Sequence, residues 1–229
     1  MKTFALLASL IASSTALALE PNFVTPEQSR LAEFLPSPPA DGSAQQKAEL
    51  AQLHDIESKR TEVEVRQAQF DAENENILAF AGAFGDKFDA ATAPLAATLA
   101  LRVINDEDVN TDPPKAVFHR AHPYAYDTGL HPVCRTKRTD DAYPSGHTTS
   151  GYLLALTFAE MIPEKRDALL ARAEAFARSR LICGVHYPSD LIAGRSSAYA
   201  IHALMTANPQ YRAELSEAKK ELRAALGLP

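Results

Sequence analysis

Apolar residues recur along the chain at the spacing of α-helices, with prolines and glycines between the periodic segments. From Ser43 to about Asn74 the chain lacks Pro and Gly, and Leu50, Leu53 and Ile56 share one helical face. Further helices are predicted at 77–84, 90–104, 147–161, 163–184, 188–208 and 211–225, of which 147–161 is nearly all apolar and is expected to be central. No alternating strand pattern of useful length occurs, so the predicted fold class is all-α, as a single-domain helical bundle.

The N-terminal residues are predicted to precede the helical domain. A lysine, a short apolar run and a small-x-small tripeptide are typical of a signal peptide at 1–18, cleaved after Ala18, which predicts a periplasmic or secreted protein. The apolar run is too short to span a bilayer, and no later segment is long and apolar enough to do so. Five prolines at 19–43 predict an extended lead-in over the surface of a helical domain at 44–229.

Two segments in the middle of the chain are predicted to interrupt the helices. Pro113 and Pro114 predict the start of a short helix that carries Lys115. The acidic run at 106–108 before them is typical of a solvated turn or the start of a helix. Residues 123–146 are rich in Pro and Gly and predict one long loop, which in a compact domain is usually functional.

Composition and charge narrow the class of protein. The 229 residues include 41 Ala and only 9 Gly, which favours helices over strands. A hydrophobic fraction of 46% excludes a disordered chain. The net charge of −6 argues against a partner made of nucleic acid, because general nucleic-acid binders are usually basic.

The chain has two cysteines, Cys134 and Cys183. An exported protein meets an oxidising compartment, where an even number of cysteines predicts a disulfide. Two unrelated buried thiols are the alternative. Neither cysteine has the spacing to other Cys or His residues that is typical of a zinc site.

Three polar clusters combine into the parts of an anion site with acid–base chemistry: residues 115–123, 144–147 and 179–190. In the second, Ser145, Gly146 and His147 lie where the long loop enters the apolar helix. The N–H groups and the dipole of a helix N-terminus favour bound phosphate, and a glycine lets the backbone approach it closely. The hydroxyl of Ser145 can add a hydrogen bond, and His147 is predicted to donate a proton to a leaving group.

The third cluster supplies a candidate nucleophile. His186 lies between two predicted helices, and Asp190 follows four residues later in the first turn of the second helix. That spacing lets the carboxylate hold one imidazole nitrogen and leave the other free, which is the arrangement of an activated nucleophile. Arg180 can give a bidentate guanidinium to phosphate oxygens, and Lys115 from the first cluster adds a point charge.

Together the motifs Lys-x6-His-Pro, Pro-Ser-Gly-His and Ser-Arg-x5-His-x3-Asp resemble the signature of the type 2 phosphatidic acid phosphatase superfamily. The segments LPSPPADGS, AFAGAFG, YPSGHTTSGYLLALTFAEMIP and SRLICGVHYPSD are similar to bacterial class A non-specific acid phosphatases. The resemblance covers roughly residues 35–226.

The resemblance implies a helical bundle of the acid phosphatase and vanadium-dependent haloperoxidase type. It implies that His186 attacks phosphorus to form a phosphohistidine, with Asp190 holding its ring and His147 first protonating the leaving group and then activating water. It also implies that no metal or other cofactor is needed, and that Cys134 forms a disulfide. The residues expected to bind the phosphoryl oxygens are Lys115, His122, Ser145, Gly146 and Arg180.

One position departs from the family pattern. The first motif has Arg seven residues after the lysine, whereas this chain has His122 before Pro123. An imidazole lacks the planar guanidinium geometry, and it titrates at about pH 6.5 in peptides, so it is charged mainly in acid. Arg120 lies two residues away; if the two were on one helix, they would point in different directions, which argues against simple replacement of the missing guanidinium.

The sequence therefore predicts an acid phosphatase of broad specificity that acts on small phosphate monoesters, nucleotides among them, as a monomer or a homo-oligomer. Alternatives are phosphotransfer to alcohols or nucleosides, a vanadate-dependent haloperoxidase, and a phosphate-binding protein weakened or inactivated by His122. Arg135, Lys137 and Arg138 in the long loop are expected either to steer anionic substrates or to form a solvated run of charge.

Overall fold

Helices and loops make up all of the chain that the structure, a computed structural model, describes, which is residues 20–86, 88–136 and 140–229. The helices are α1 (Pro26–Ser29), α2 (Leu31–Phe34), α3 (Ala44–Lys59), α4 (Glu62–Glu73), α5 (Ala81–Phe84), α6 (Pro94–Phe118), α7 (Pro123–Tyr126), α8 (Gly146–Met161), α9 (Arg166–Ile182), α10 (Pro188–Ala207) and α11 (Pro209–Ala225). Short 3₁₀ turns span Ile77–Phe80, Ala90–Thr92 and Pro163–Lys165. The all-α prediction is confirmed, whereas the predicted signal peptide at 1–18 and the cations Lys137 and Arg138 lie outside the described residues.

The central element is α8, as its apolar sequence predicts. Of its 16 residues, 13 are buried. It packs against α6, α9, α10 and α11, which enclose it. On α9, Leu169, Ala173 and Phe176 lie on one helical face and are fully buried against this core. Within the described ranges, no helix is long and apolar enough to cross a membrane.

Small residues let α8 approach its neighbours closely. A Cβ atom at Gly194 of α10 would lie only 2.6 Å from the carbonyl oxygen of Ser145, at the start of α8. A Cβ atom at Gly151 of α8 would lie 2.7 Å from the Phe176 ring of α9. The backbone N–H of Ser145 also donates to the carbonyl of Asp190 at 3.2 Å. The N-termini of α8 and α10 are therefore held side by side.

The predictions for residues 106–115, in the middle of the chain, were wrong. Pro113 and Pro114 lie inside the 25-residue helix α6 instead of starting a helix. In the acidic run, Asp106 and Glu107 are almost fully buried, so it is no solvated turn. Asp106 accepts hydrogen bonds from the backbone N–H groups at residues 22–24, which supply the donors that water would otherwise provide. Tertiary packing of α6 against α8 and α11 here overrides the local preference of the prolines.

The lead-in at 19–43 also differs from a surface-lying extended segment. It contains the short helices α1 and α2, and four of its apolar side chains are buried in the main core: Phe23, Val24, Leu31 and Leu35. Their burial stabilises the fold by on the order of 1–3 kcal/mol each. The segment is thus part of the bundle, and its hydrogen bonds to Asp106 hold it against α6.

Candidate active site

The connection between α9 and α10 brings the predicted nucleophile and its orienting carboxylate together. Asp190 Oδ2 lies 3.2 Å from His186 Nδ1 and accepts the backbone N–H of Tyr187 at 2.8 Å. Since an ionised carboxylate only accepts hydrogen bonds, it favours the tautomer with the proton on Nδ1. No described residue forms a hydrogen bond with Nε2 of His186, which leaves that lone pair for a reaction.

The start of α8 lies beside Asp190, whose carbonyl accepts the backbone N–H of Ser145. The hydroxyl oxygen of Ser145 caps the helix by accepting from the N–H of Thr148 at 3.4 Å and from its hydroxyl at 3.0 Å. In both contacts Ser145 Oγ is the acceptor, so its own hydrogen can still be donated to an anion. A helix N-terminus of this length is a ready site for phosphate.

Lys115 reaches this helix N-terminus from α6. Its Nζ lies 3.4 Å from the position that a Cβ atom at Gly146 would take, and the Glu107 carboxylate oxygen lies 3.0 Å from it. Gly146 therefore makes room for a lysine ammonium and a buried carboxyl group, as well as for a ligand. Burial raises the pKa of Glu107 to about 8, although the Lys115 cation opposes this.

Glu107 is a neighbour of the site that the sequence did not reveal. Its carboxylate accepts from the hydroxyls of Thr111 at 2.7 Å and Ser150 at 3.1 Å. Because Glu107 belongs to an acidic run, its sequence context indicated an exposed side chain. The only sequence signal for burial was the pattern of apolar residues before and after it in the helix.

Arg180 is a buried cation without an anionic partner. The residue is 7% exposed, its Nε has no hydrogen-bond partner, and no described carboxylate lies within 4 Å of the guanidinium. Burial lowers the pKa of Arg180 to about 10, which leaves it charged. A buried unpaired charge is costly, so this side chain is arranged for an anion that binds there.

His147 is the second residue of α8, lines the cleft and is close enough to His186 to act on it electrostatically. Its Nε2 is 3.3 Å from the carbonyl oxygen of Ala72 and 3.6 Å from a carboxylate oxygen of Glu75, both near the end of α4. Burial and the Arg180 cation lower the pKa of His147 to about 4, with Glu75 acting in the opposite direction. A bound phosphate dianion would add negative charge beside the ring and favour its protonated form.

The pKa of His186 is lowered well below its usual value by burial and by the cations around it, His122 first among them. Burial raises the pKa of Asp190, whereas the Arg120 cation and the N–H of Tyr187 lower it. A lowered pKa keeps the His186 ring neutral, and therefore nucleophilic, in acidic solution.

His122 occupies the position of the motif arginine, and both of its ring nitrogens face acceptors. Nδ1 lies 2.5 Å from the carbonyl oxygen of Val185, and Nε2 lies 2.9 Å from Asp141 Oδ1. Because a carbonyl and a carboxylate only accept, this arrangement fits the doubly protonated, cationic ring. Direct donation from His122 to a phosphoryl oxygen requires the exchange of one of these contacts.

Arg120 does not replace the missing arginine of the motif, as the sequence predicted, but the reason is not the direction of side chains on a helix. Helix α6 ends at Phe118, so residues 119–122 are not helical. Arg120 donates to Asp190 Oδ1 and so reaches His186 only through that carboxylate, whereas the ring of His122 lies next to the ring of His186. The ring centroids of His122 and His186 are 5.0 Å apart.

A cleft of about 1000 Å³ opens over these groups. Its lining includes His122, His147 and Arg180 from the site, Arg135 from the long loop, and the α4 side chains Arg66, Gln69 and Phe70. Cys134 also lines the cleft and is disulfide-bonded to Cys183, which confirms the predicted pairing. The disulfide ties the long loop to the end of α9, three residues after Arg180.

Among the described residues, no group of three or more His, Cys, Asp or Glu side chains is arranged to hold a metal ion. The positive groups around the cleft are instead side chains of the protein. Lys115, Arg180 and His122 converge on His186 from three segments that are distant in sequence.

The chain is similar to known phosphatases. The chain is 36% identical to a non-specific acid phosphatase of Providencia stuartii over 62% of this chain and 59% of that protein. It is 34% identical to an acid phosphatase of Zymomonas mobilis over 64% of this chain and 56% of that one. The chain thus matches less than two thirds of the length of these curated relatives.

Solved structures support the fold. A transmembrane PAP2-type phosphatidylglycerolphosphate phosphatase from Bacillus subtilis superposes with a TM-score of 0.54 at 16% identity, over 80% of this chain and 94% of that one. A bacterial vanadium-dependent iodoperoxidase superposes with a TM-score of 0.59 at 20% identity, over 77% of this chain and 53% of that one. The sequence profile of the PAP2 superfamily matches residues 91–214, more than half of the chain. The chain therefore belongs to the PAP2 superfamily.

Proposed function

We propose that this protein is an acid phosphatase that hydrolyses small phosphate monoesters through a phosphohistidine at His186. The observation that carries the proposal is the buried Arg180 guanidinium, which has no described carboxylate within 4 Å and acts with the Lys115 cation on His186, whose Nε2 forms no hydrogen bond with a described residue. Such a cluster would hold three phosphoryl oxygens and leave phosphorus exposed to the imidazole. The names of the acid phosphatase relatives support the same reaction.

The first step forms a bond from His186 Nε2 to phosphorus and breaks the bond from phosphorus to the leaving oxygen. The protonated ring of His147 donates its proton to that oxygen, so an alcohol departs. As His186 gains positive charge, the Asp190 carboxylate at Nδ1 stabilises it. The cations around the phosphoryl group offset the charge on its oxygens, a role that Mg²⁺ plays in many phosphoryl transfers.

The second step returns the enzyme to its starting state. His147, now neutral, takes a proton from a water molecule whose oxygen attacks phosphorus. The bond from phosphorus to His186 Nε2 breaks, and inorganic phosphate leaves. If an alcohol attacked in place of water, the result would be phosphotransfer. This is the second candidate activity, because a cleft of about 1000 Å³ has room for a small alcohol.

The test is release of phosphate from an aryl phosphate between pH 4 and pH 8, with and without a chelator. Turnover that is highest in acid and insensitive to the chelator supports the proposal. Dependence on a metal would contradict the mechanism, and binding of phosphate without any turnover would favour a binding protein disabled by His122. We also propose that the protein is exported, which a mature N-terminus at residue 19 would support.

His122→Arg is expected to raise kcat/KM by about 10-fold at pH 7 and by much less at pH 5. An arginine keeps its charge throughout this range, whereas the reference pKa of an imidazole in peptides, about 6.5, lies within it. The guanidinium also has enough donors to keep the contact with Asp141 and reach a phosphoryl oxygen. The measurement is the pH profile of kcat/KM for both proteins.

The matched control is His131→Arg, which adds the same charge at an exposed position beside Glu57. It is expected to leave the profile unchanged. An equal gain at both pH values in His122→Arg, or a profile identical to that of the wild type, would contradict a charge role for residue 122.

A further inference from the structure

Behind Asp190, away from the cleft, lies a buried polar group that we call the rear cluster: Glu49, Arg120 and Ser189. Arg120 donates through Nη1 to Asp190 Oδ1 and, at 2.6 Å, to the hydroxyl of Ser189. Through Nη2 it donates to Glu49 Oε2 at 3.0 Å. The side chains of Arg120 and Glu49 are 3% and 9% exposed, so these contacts are shielded from water.

Glu49 closes the cluster from α3, far from the catalytic motifs in sequence. Its Oε1 accepts the backbone N–H of Ser189 at 3.1 Å, and its Oε2 accepts the hydroxyl of Ser189 at 3.0 Å. The Arg120 guanidinium also lies 4.0 Å above the ring of Tyr187. Arg120 is therefore fixed by α3, by the start of α10 and by an aromatic face.

Three charged side chains and one imidazole form a chain of contacts, from Glu49 through Arg120 and Asp190 to His186. Asp190 uses Oδ1 toward Arg120 and Oδ2 toward His186, so the two contacts compete for the same negative charge. Since Glu49 and Asp190 both accept hydrogen bonds from the Arg120 guanidinium, Glu49 weakens the interaction of Arg120 with Asp190. More of the negative charge of Asp190 is then available to His186 Nδ1.

Other titratable groups face this line from every neighbouring element. They are Lys115 from α6, His122 from the segment after it, Tyr143 from the long loop, His147 from α8, Arg180 from α9 and Tyr187 from before α10. His122, His147 and Arg180 line the cleft, and Lys115 adds positive charge near His186. Glu49 is the carboxylate that acts on Asp190 from the rear.

We propose that Glu49 is a positioning residue for phosphoryl transfer, which sets, through Arg120, the orientation and the charge that Asp190 presents to His186. The inference rests on the proposed function, because it assigns Glu49 a part in the same reaction. It explains why a buried carboxylate of α3 is connected to the first turn of α10 by two hydrogen bonds and to Arg120 by a third.

The test is Glu49→Gln, which keeps the shape of the side chain and removes its charge. Asp190 loses a negative neighbour, so its pKa falls, and the acid limb of the kcat/KM profile is expected to move to lower pH by about half a unit. Arg120 then binds Asp190 more tightly, and kcat is expected to fall by about 10-fold with little change in KM. A residue with only a structural role would lower the melting temperature and leave the acid limb in place.

The matched control is Glu57→Gln on the same helix, a carboxylate that contacts Arg60 and His131 away from the site. It is expected to keep the wild-type kcat and acid limb. If Glu49→Gln does not fold, Ser189→Ala removes the hydroxyl bridge while it keeps both charges. That variant is expected to lower kcat and shift the imidazole resonances of His186, and an unchanged kcat with unchanged resonances would overturn the proposal.

A second readout separates this proposal from the proposed function. The pH titration of the His186 ring, followed by NMR of protein with labelled histidine, needs no substrate. If the wild type releases no phosphate, the proposed function fails, yet a shifted His186 titration in Glu49→Gln would still support the link through Arg120. A folded Glu49→Gln protein with the wild-type acid limb and the wild-type His186 titration would overturn it.

Discussion

His186→Ala is expected to lower kcat for an aryl phosphate by at least about 10³-fold, the scale of loss when an enzyme loses its nucleophile. The variant keeps the Arg180 and Lys115 cations, so it is expected to bind inorganic phosphate with an affinity near that of the wild type. The structural reason is that Nε2 of His186 forms no hydrogen bond with a described residue, while the Arg180 and Lys115 cations act on the same ring. Steady-state kinetics and phosphate binding by calorimetry give the two quantities.

His54→Ala is the control for this prediction. His54 lies exposed on α3 and pairs with Asp127, away from the cleft. Its loss is expected to leave kcat unchanged. If His186→Ala retained more than about one tenth of the wild-type kcat, a nucleophilic role for His186 would be excluded, because that is under 1.4 kcal/mol of the barrier.

His147→Gln is expected to slow turnover by an amount that depends on the leaving group. A nitrophenolate departs with little help, so the loss for nitrophenyl phosphate is expected to be about 10²-fold, and for an alkyl phosphate up to about 10⁴-fold. The glutamine can keep the contact with the carbonyl of Ala72, which preserves the end of α4. The measurement is kcat for the two substrates in both proteins.

The control is His202→Gln on α10, where the ring contacts Glu160 and is remote from the cleft. It is expected to leave the ratio of the two kcat values as in the wild type. An equal loss for both leaving groups in His147→Gln would mean that His147 does not protonate the departing oxygen.

The same variant has a predictable effect on stability. The pKa of His147 is about 4 in the folded chain, below its value in the unfolded chain. Between about pH 6.5 and pH 4 the unfolded chain therefore binds more protons at this position. The free energy of unfolding of the wild type decreases as the pH is lowered through this range. His147→Gln removes this loss, so its melting temperature relative to the wild type is expected to be higher at pH 5 than at pH 7.5.

Periodicity predicted the parts of the fold in which local pattern and burial agree. Helix α8 has an apolar sequence on all sides and is central, and the helices predicted at 188–208 and 211–225 are found at Pro188–Ala207 and Pro209–Ala225. The four-residue spacing between His186 and Asp190 predicted their contact, because both lie at a helix start where the chain has little freedom.

The errors arose where a polar side chain found its partner through tertiary structure. Asp106 is buried because the backbone of the lead-in supplies its donors, and no local pattern reports a partner some 80 residues away. Glu49 was absent from the predicted site for the same reason, since its link to Arg120 and Ser189 joins segments far apart in sequence. His122 was predicted to donate to phosphate, whereas in the folded chain both ring nitrogens meet protein acceptors.

The covalent intermediate on His186 can be tested by rapid quench of the wild type with radiolabelled nitrophenyl phosphate, followed by peptide mapping under alkaline conditions that preserve phosphohistidine. The predicted result is one labelled peptide that contains His186, with phosphate on Nε2 because Asp190 holds Nδ1. An enzyme that turns over but never carries a covalent phosphate, or carries it on a different residue, would contradict the proposed mechanism.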